Sequence, residues 1–171
     1  MIKDVIPLAV RRHKLVATVR DALQGEDVIV GVSGGADSIA LLLLCCAAAE
    51  QRSASFEVVA AHIHHGLRDE ADEDQSVVEA ICETLGVQCI SRKVKVKPIN
   101  GSLAAGARKA RYEMLSEIAN ELHIRTITVA HHSTDQLETM LMALCRGGGL
   151  RRIAGMTPTR ELSDRKSTRL N

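Results

Sequence analysis

Six consecutive residues, Ser33-Gly34-Gly35-Ala36-Asp37-Ser38, combine backbone freedom, hydroxyl groups and a carboxylate in a pattern suited to holding a polyanion. Two adjacent glycines let the chain turn tightly and aim several N–H groups at one point, and a helix starting there adds the positive end of its macrodipole. Ser33 and Ser38 can donate hydroxyl hydrogen bonds to phosphate oxygens, and Asp37 can hold a Mg²⁺ that neutralises them. The string lacks the Gly-Lys-Ser/Thr of the Walker loop and the spacing of the dinucleotide fingerprint, so it predicts phosphate binding without implying γ-phosphoryl or hydride transfer. Gly-Gly alone is an ordinary turn; the whole hexapeptide between a strand and a helix is far more specific.

Three further segments carry groups able to act beside such a loop. His62-Ile63-His64-His65-Gly66-Leu67-Arg68 brings three histidines within four residues. On a strand His62 and His64 face one way and His65 the other, and no Cys or carboxylate stands at a zinc-like spacing, so hydrogen bonding is expected rather than metal ligation. Arg108 and Arg111 are three apart and share a helix face, where they can grip a phosphate or carboxylate or simply be solvated. In His131-His132-Ser133-Thr134-Asp135-Gln136-Leu137-Glu138, the same spacing puts Asp135 and Glu138 on one helix face. Such acids are often only dipole partners, but beside a phosphate loop they can share a Mg²⁺ with Asp37 or take the proton of an attacking amine.

The elements that must position these groups alternate. Asp27–Val32, Phe56–Ala61, Val87–Val94 and Arg125–Ala130 read as strands. Helical patterns occupy Val10–Leu23, Asp37–Ala49, Glu70–Leu85, Ala104–Leu122 and Thr134–Cys145. Apolar strands joined by helices of this length predict βαβ crossovers and a doubly wound parallel α/β sheet, Rossmann-like, in which ligands sit at the carboxyl ends of the strands. The three segments after Val32, Ala61 and Ala130 are where the chemistry lies. Candidate linkers are Lys97–Leu103 and the glycine-rich stretch from Arg146.

Composition narrows the classes. The chain has 171 residues, 46% hydrophobic and 25% charged, enough for one ordinary globular domain. The apolar run Ile39–Ala49 is too short to span a bilayer and Met1–Leu8 holds no signal-peptide core, so a cytoplasmic protein without membrane partners is expected. Five cysteines with no C-x-x-C pair read as buried reduced thiols. Phe56 and Tyr112 are the two aromatics, which argues against recognition by stacking several bases. The net charge is +1, but Asp69–Glu83 holds seven acids and no Lys or Arg, while Ser91–Arg111 holds seven bases and no acid, so one face is expected to hold phosphates.

Ser33–Ser38 resembles the SGGxDS loop of the N-type ATP pyrophosphatases, enzymes that split ATP into AMP and pyrophosphate to activate a carbonyl or carboxylate. The His-x-x-His-Gly-Leu-Arg string, Ala107-Arg108-Lys109-Ala110-Arg111-Tyr112, the segment from His131 to Thr139 and Arg146-Gly147-Gly148-Gly149-Leu150 through Met156 together resemble tRNA(Ile)-lysidine synthases. That resemblance covers roughly residues 27–156 and implies the adenine nucleotide alpha hydrolase type of fold, truncated at its C-terminus. It further implies ATP and Mg²⁺ as cofactors, tRNA(Ile) and free lysine as partners, and admits a homodimer. It places Ser33, Gly34, Gly35, Ala36, Asp37, Ser38, His62 and His131 in the nucleotide pocket. By the same resemblance Asp37, Asp135, Glu138, Arg108 and Arg111 form the catalytic set, with Asp37 and Asp135 on the metal. Ser133-Thr134 stands where the family more usually has a pair ending in Asp, one metal-ligand candidate fewer. The alternatives are a tRNA 2-thiolation enzyme of the same superfamily, disfavoured by the missing C-x-x-C, and a nucleotide-binding sensor without catalysis.

Residues 164–171 have no apolar periodicity and can be encoded by GAT CGG AAG AGC ACA CGT CTG AAC, which resembles a common sequencing adapter. The expectation is a catalytic domain over 1–163, incomplete at its C-terminus, followed by a non-native tail with no selected function.

Overall fold

The computed structural model describes residues 5–51, 56–66, 71–130, 159–162 and 165–170. Two helices, α1 (Leu8–Arg11) and α2 (Lys14–Leu23), precede β1 (Val28–Gly31), α3 (Ala36–Ala49), β2 (Val58–His64), α4 (Ala71–Leu85), β3 (Gln88–Lys93), α5 (Leu103–Glu121) and β4 (Thr126–Ala130). β5 (Thr159–Leu162) and β6 (Arg165–Leu170) complete a sheet of order β3-β2-β1-β4-β6-β5. All pairings are parallel except β5 with β6. The four expected strands and the helices expected before and between them are present, and the fold is α/β, doubly wound.

Two departures from the sequence reading have local causes. The first helical pattern breaks at His13, whose ψ of 137° leaves the helical region; its side chain then accepts the Leu15 N–H and caps α2 as a new helix. Arg165–Leu170, to which no element was assigned, forms β6 beside β4, with Ile127 opposite Ser167 and Ala130 opposite Leu170. Ladder pairing uses backbone groups, so an extended segment without apolar alternation can still cover an open strand edge. The expected helix over Thr134–Cys145 and the glycine-rich stretch lie outside the described residues.

Strand alternation sorts the core into two layers. Val28, Val30, Val32, Val58 and Ala60 pack with Leu41, Leu42, Cys45 and Cys46 of α3 and Val78, Cys82 and Leu85 of α4. Ile29, Val59, Ala61, Ile63, Ile127 and Val129 pack with Tyr112, Leu115, Ile118 and Ala119 of α5. The chain therefore progresses outward from β1 with helices on one face, then crosses back to β4 with α5 on the other. The reversal falls between β1 and β4, and the crevice outside their carboxyl ends is where such sheets bind ligands. Gly31, the last residue of β1, has to be small: a Cβ there would stand 2.8 Å from Val129 Cγ1. Among the described residues no helix is long and apolar enough to cross a membrane.

Candidate active site

The hexapeptide occupies that crevice. Val32 extends β1 by donating its N–H to the Ala61 carbonyl, and the chain then turns at Gly34, whose φ of +91° disfavours any L side chain. Gly35 caps α3 in an extended conformation (φ −71°, ψ 151°), so the free N–H groups of the first helical turn open toward the crevice. Ser38, buried in that turn, donates its hydroxyl to the Gly35 carbonyl at 2.7 Å and accepts the Ser33 N–H at 3.1 Å and the Ser33 hydroxyl at 3.3 Å. Both hydroxyls, expected to donate to phosphate oxygens, are thus engaged within the loop and hold its shape. Asp37 is exposed at the start of α3, at the mouth of the loop.

The histidines divide as alternation requires. His62, 3% exposed, donates from Nδ1 to the Val32 carbonyl at 2.9 Å and ties the end of β2 to the residue that enters the loop. His64 on the same face accepts the Gly66 N–H at Nδ1 and donates from Nε2 to Asp72 Oδ1 at 3.0 Å, and Lys93 reaches the same carboxylate oxygen at 3.1 Å. Lys93 first and His64 second hold the Asp72 carboxyl below the usual range. His65, on the opposite side, is half-buried beside Arg111; burial, then that positive charge, lowers its pKa.

Arg108 and Arg111 lie at the amino half of α5, which runs back along the sheet and therefore starts at the carboxyl ends of the strands. Both are half-buried and flank one ring, Tyr112, with guanidinium carbons 5.9 and 5.7 Å from its centroid. The two arginines share a face, as their spacing predicted, and the ring gives them a packed platform. Because Tyr112 and Phe56 are both buried, neither offers a stacking surface for a base. Part of the basic excess is matched by acids: Arg92 pairs with Glu121 at 3.2 Å and Lys93 with Asp72.

One acid in the site escaped the sequence reading. Asp74, half-buried in the first turn of α4, packs directly on the loop; a Cβ added to Gly34 would meet its Cβ and Oδ1 at 3.1 Å. The run of acids was visible, but which of them turns toward the loop depends on how α4 is docked. His131, Asp135 and Glu138 lie outside the described residues.

As for a metal, Asp37 supplies a hard oxygen donor beside the loop, and Mg²⁺ typically takes one or two carboxylates together with phosphate oxygens and water. The residues present fit that ion. Among the described residues no group of three or more His, Cys, Asp or Glu is arranged to hold a metal.

A parallel sheet whose reversal point carries a glycine loop opening a helix defines an α/β domain of the mononucleotide-binding kind. Residues 8–170 match the PP-loop domain, and the chain belongs to that family. Among curated proteins it is 36% identical over 142 residues to the tRNA(Ile)-lysidine synthase of Clostridium perfringens, covering 80% of this chain and 30% of the relative. The Chromobacterium violaceum enzyme of that name is 43% identical over 138 residues, 80% of this chain and 31% of the relative. The chain thus spans about a third of the length of these relatives. Among solved structures, the U34-tRNA thiolase NcsA from Methanococcus maripaludis with its [4Fe-4S] cluster shares the fold, with a TM-score of 0.68 at 14% identity over 90% of this chain and 58% of that one. The NH3-dependent NAD synthetase from Campylobacter jejuni gives 0.54 at 17% identity over 77% and 58%.

Proposed function

We propose that this chain is the ATP-activating part of a tRNA(Ile)-lysidine synthase. The observation that carries the reading is the braced Ser33–Ser38 loop at the sheet's reversal point, with Arg108 and Arg111 brought to the same end of the sheet. The similarity to curated lysidine synthases supports the choice within the family. In the reaction, the C2 carbonyl oxygen of the wobble cytidine attacks the α-phosphorus of ATP, the α–β bond breaks and pyrophosphate leaves. The amine of free lysine then attacks C2, expels AMP and gives up a proton.

The loop N–H groups receive the β- and γ-phosphates, and the α3 dipole stabilises charge as it develops on the leaving pyrophosphate. Asp37 and Asp135 would hold Mg²⁺, which supplies charge neutralisation on the phosphates. Arg108 and Arg111 orient phosphate oxygens of the nucleotide from the α5 side. Asp135 or Glu138 accepts the lysine proton, and the family resemblance assigns His131 to nucleotide binding. His62 keeps Val32, and hence the loop entrance, in place.

The thiolase alternative gains no support from the described cysteines: Cys45, Cys46 and Cys82 are buried in the core rather than gathered at the strand ends. The test is product analysis with α-labelled ATP, tRNA(Ile) and lysine, using the intact enzyme that contains this chain. AMP, pyrophosphate and lysidine are expected, with Asp37→Asn abolishing all three while the fold persists, since Asp37 is exposed in the first turn of α3 and Asn keeps its size and shape. ADP as the product, or normal turnover by Asp37→Asn, would refute the assignment.

A further inference from the structure

We infer that Asp74 makes the Ser33–Ser38 loop selective for metal-complexed over free polyphosphate, an inference that rests on the pyrophosphate reading of that loop. The neighbouring Asp72 is matched by Lys93 and His64, whereas among the described residues no Lys, Arg or His pairs with Asp74. Its side chain instead occupies the space beside Gly34, with Cβ, Cγ and Oδ1 within 3.1–3.2 Å of where a Gly34 Cβ would stand. A carboxylate thereby stands next to the turn of the loop that is read as the phosphate cradle.

The two charges act in opposition. The loop's partial positive charge attracts an oxyanion, and Asp74 repels it through a partly desolvated wall that screens poorly. A bare pyrophosphate meets that repulsion in full. A pyrophosphate carrying Mg²⁺ presents a cation to Asp37 and Asp74, and the same carboxylate becomes neutral or attractive toward it. Once the α–β bond has broken, a product that loses its cation is pushed out, so the residue also favours release. Position rather than contact with the reacting atoms gives Asp74 this role.

Titration calorimetry on the 171-residue chain tests it, with sodium pyrophosphate in EDTA and with magnesium pyrophosphate as the two probes. Wild type should prefer the magnesium complex by about tenfold or more, the scale expected for one partly screened like charge. Asp74→Asn, which keeps the shape that packs on Gly34, should tighten free pyrophosphate and narrow the ratio to about threefold, with an unchanged melting temperature. Glu73→Gln, one residue away on the same helix turn, should leave the ratio as in wild type. An unchanged ratio in Asp74→Asn, or equal narrowing in Glu73→Gln, overturns this role of Asp74 alone. Failure of wild type to bind either probe overturns the pyrophosphate reading and this inference with it.

Discussion

Replacing Gly34 and Gly35 separately by alanine should give sharply different results, although the two residues are adjacent and look equivalent in the sequence. At Gly34 the backbone has φ +91°, a region that costs a non-glycine residue about 1–3 kcal/mol. The new methyl would also stand 3.1 Å from the Asp74 Cβ, so the loop or α4 must shift by a few tenths of an ångström. Together these give a loss of about 3 kcal/mol, or about 6–12 °C in melting temperature for a domain of this size. At Gly35 the backbone is extended at φ −71°, and the nearest atom to an added Cβ is Ser33 Oγ at 3.6 Å, an ordinary contact. Only the poorer helix-capping of alanine remains, partly offset by a stiffer unfolded chain, so the loss should stay below about 1 kcal/mol. Thermal melts of the two variants, read by circular dichroism, check this. Equal shifts, or a larger loss for Gly35→Ala, would show that the loop is not held in the conformation described.

Ser38→Ala removes the hydroxyl that joins Ser33 to Gly35 and should cost about 1–3 kcal/mol in a denaturant melt while weakening ATP binding, because it strands the Ser33 N–H, whereas the Gly35 carbonyl keeps the backbone N–H groups of Ser38 and Ile39. His65, with its pKa lowered by burial and Arg111, binds protons less readily folded than unfolded; stability should therefore be intact above pH ~6.5 and decline as the pH falls below it. His65→Gln should flatten that decline, and a histidine NMR titration of wild type should place His65 below the ordinary value. Cys89, half-buried on β3 and with its pKa drawn down chiefly by a hydrogen bond from Cys82, should be alkylated by iodoacetamide ahead of Cys45 and Cys46, which are buried and whose pKa values burial raises. Cys82→Ala should slow that alkylation; an unchanged rate would mean the thiols do not interact.

Much of this architecture is carried by local pattern. The β-branched runs mark β1, β2 and β4 because those strands are buried on both faces, whereas β3 lies at the sheet edge and is half exposed; period-two alternation places His62 and His64 on one side and His65 on the other. Arg108 and Arg111 were placed on one face by helical spacing, and Tyr112, which joins them, is the neighbour that spacing alone does not reveal. The break at His13 was hidden because a histidine cap leaves no change in the apolar pattern. β6 was invisible for a different reason: its pairing with β4 draws on backbone groups that every sequence possesses. The brace made by Ser38 and the approach of Asp74 to Gly34 are tertiary facts. A hydroxyl can serve a ligand or its own loop, and only the folded geometry decides which.

The central claim is that the Ser33–Ser38 loop, the end of β2 and the start of α5 form one nucleotide pocket. Backbone amide shifts of ¹⁵N-labelled chain on addition of ATP and Mg²⁺ test it most directly. The largest changes should fall on Ser33 through Ser38, on His65 and Gly66, and on Arg108 and Arg111, and the Ser33–Ser38 changes should be reproduced by magnesium pyrophosphate but not by AMP. Shifts confined to other elements, or AMP and pyrophosphate perturbing the loop alike, would contradict the account.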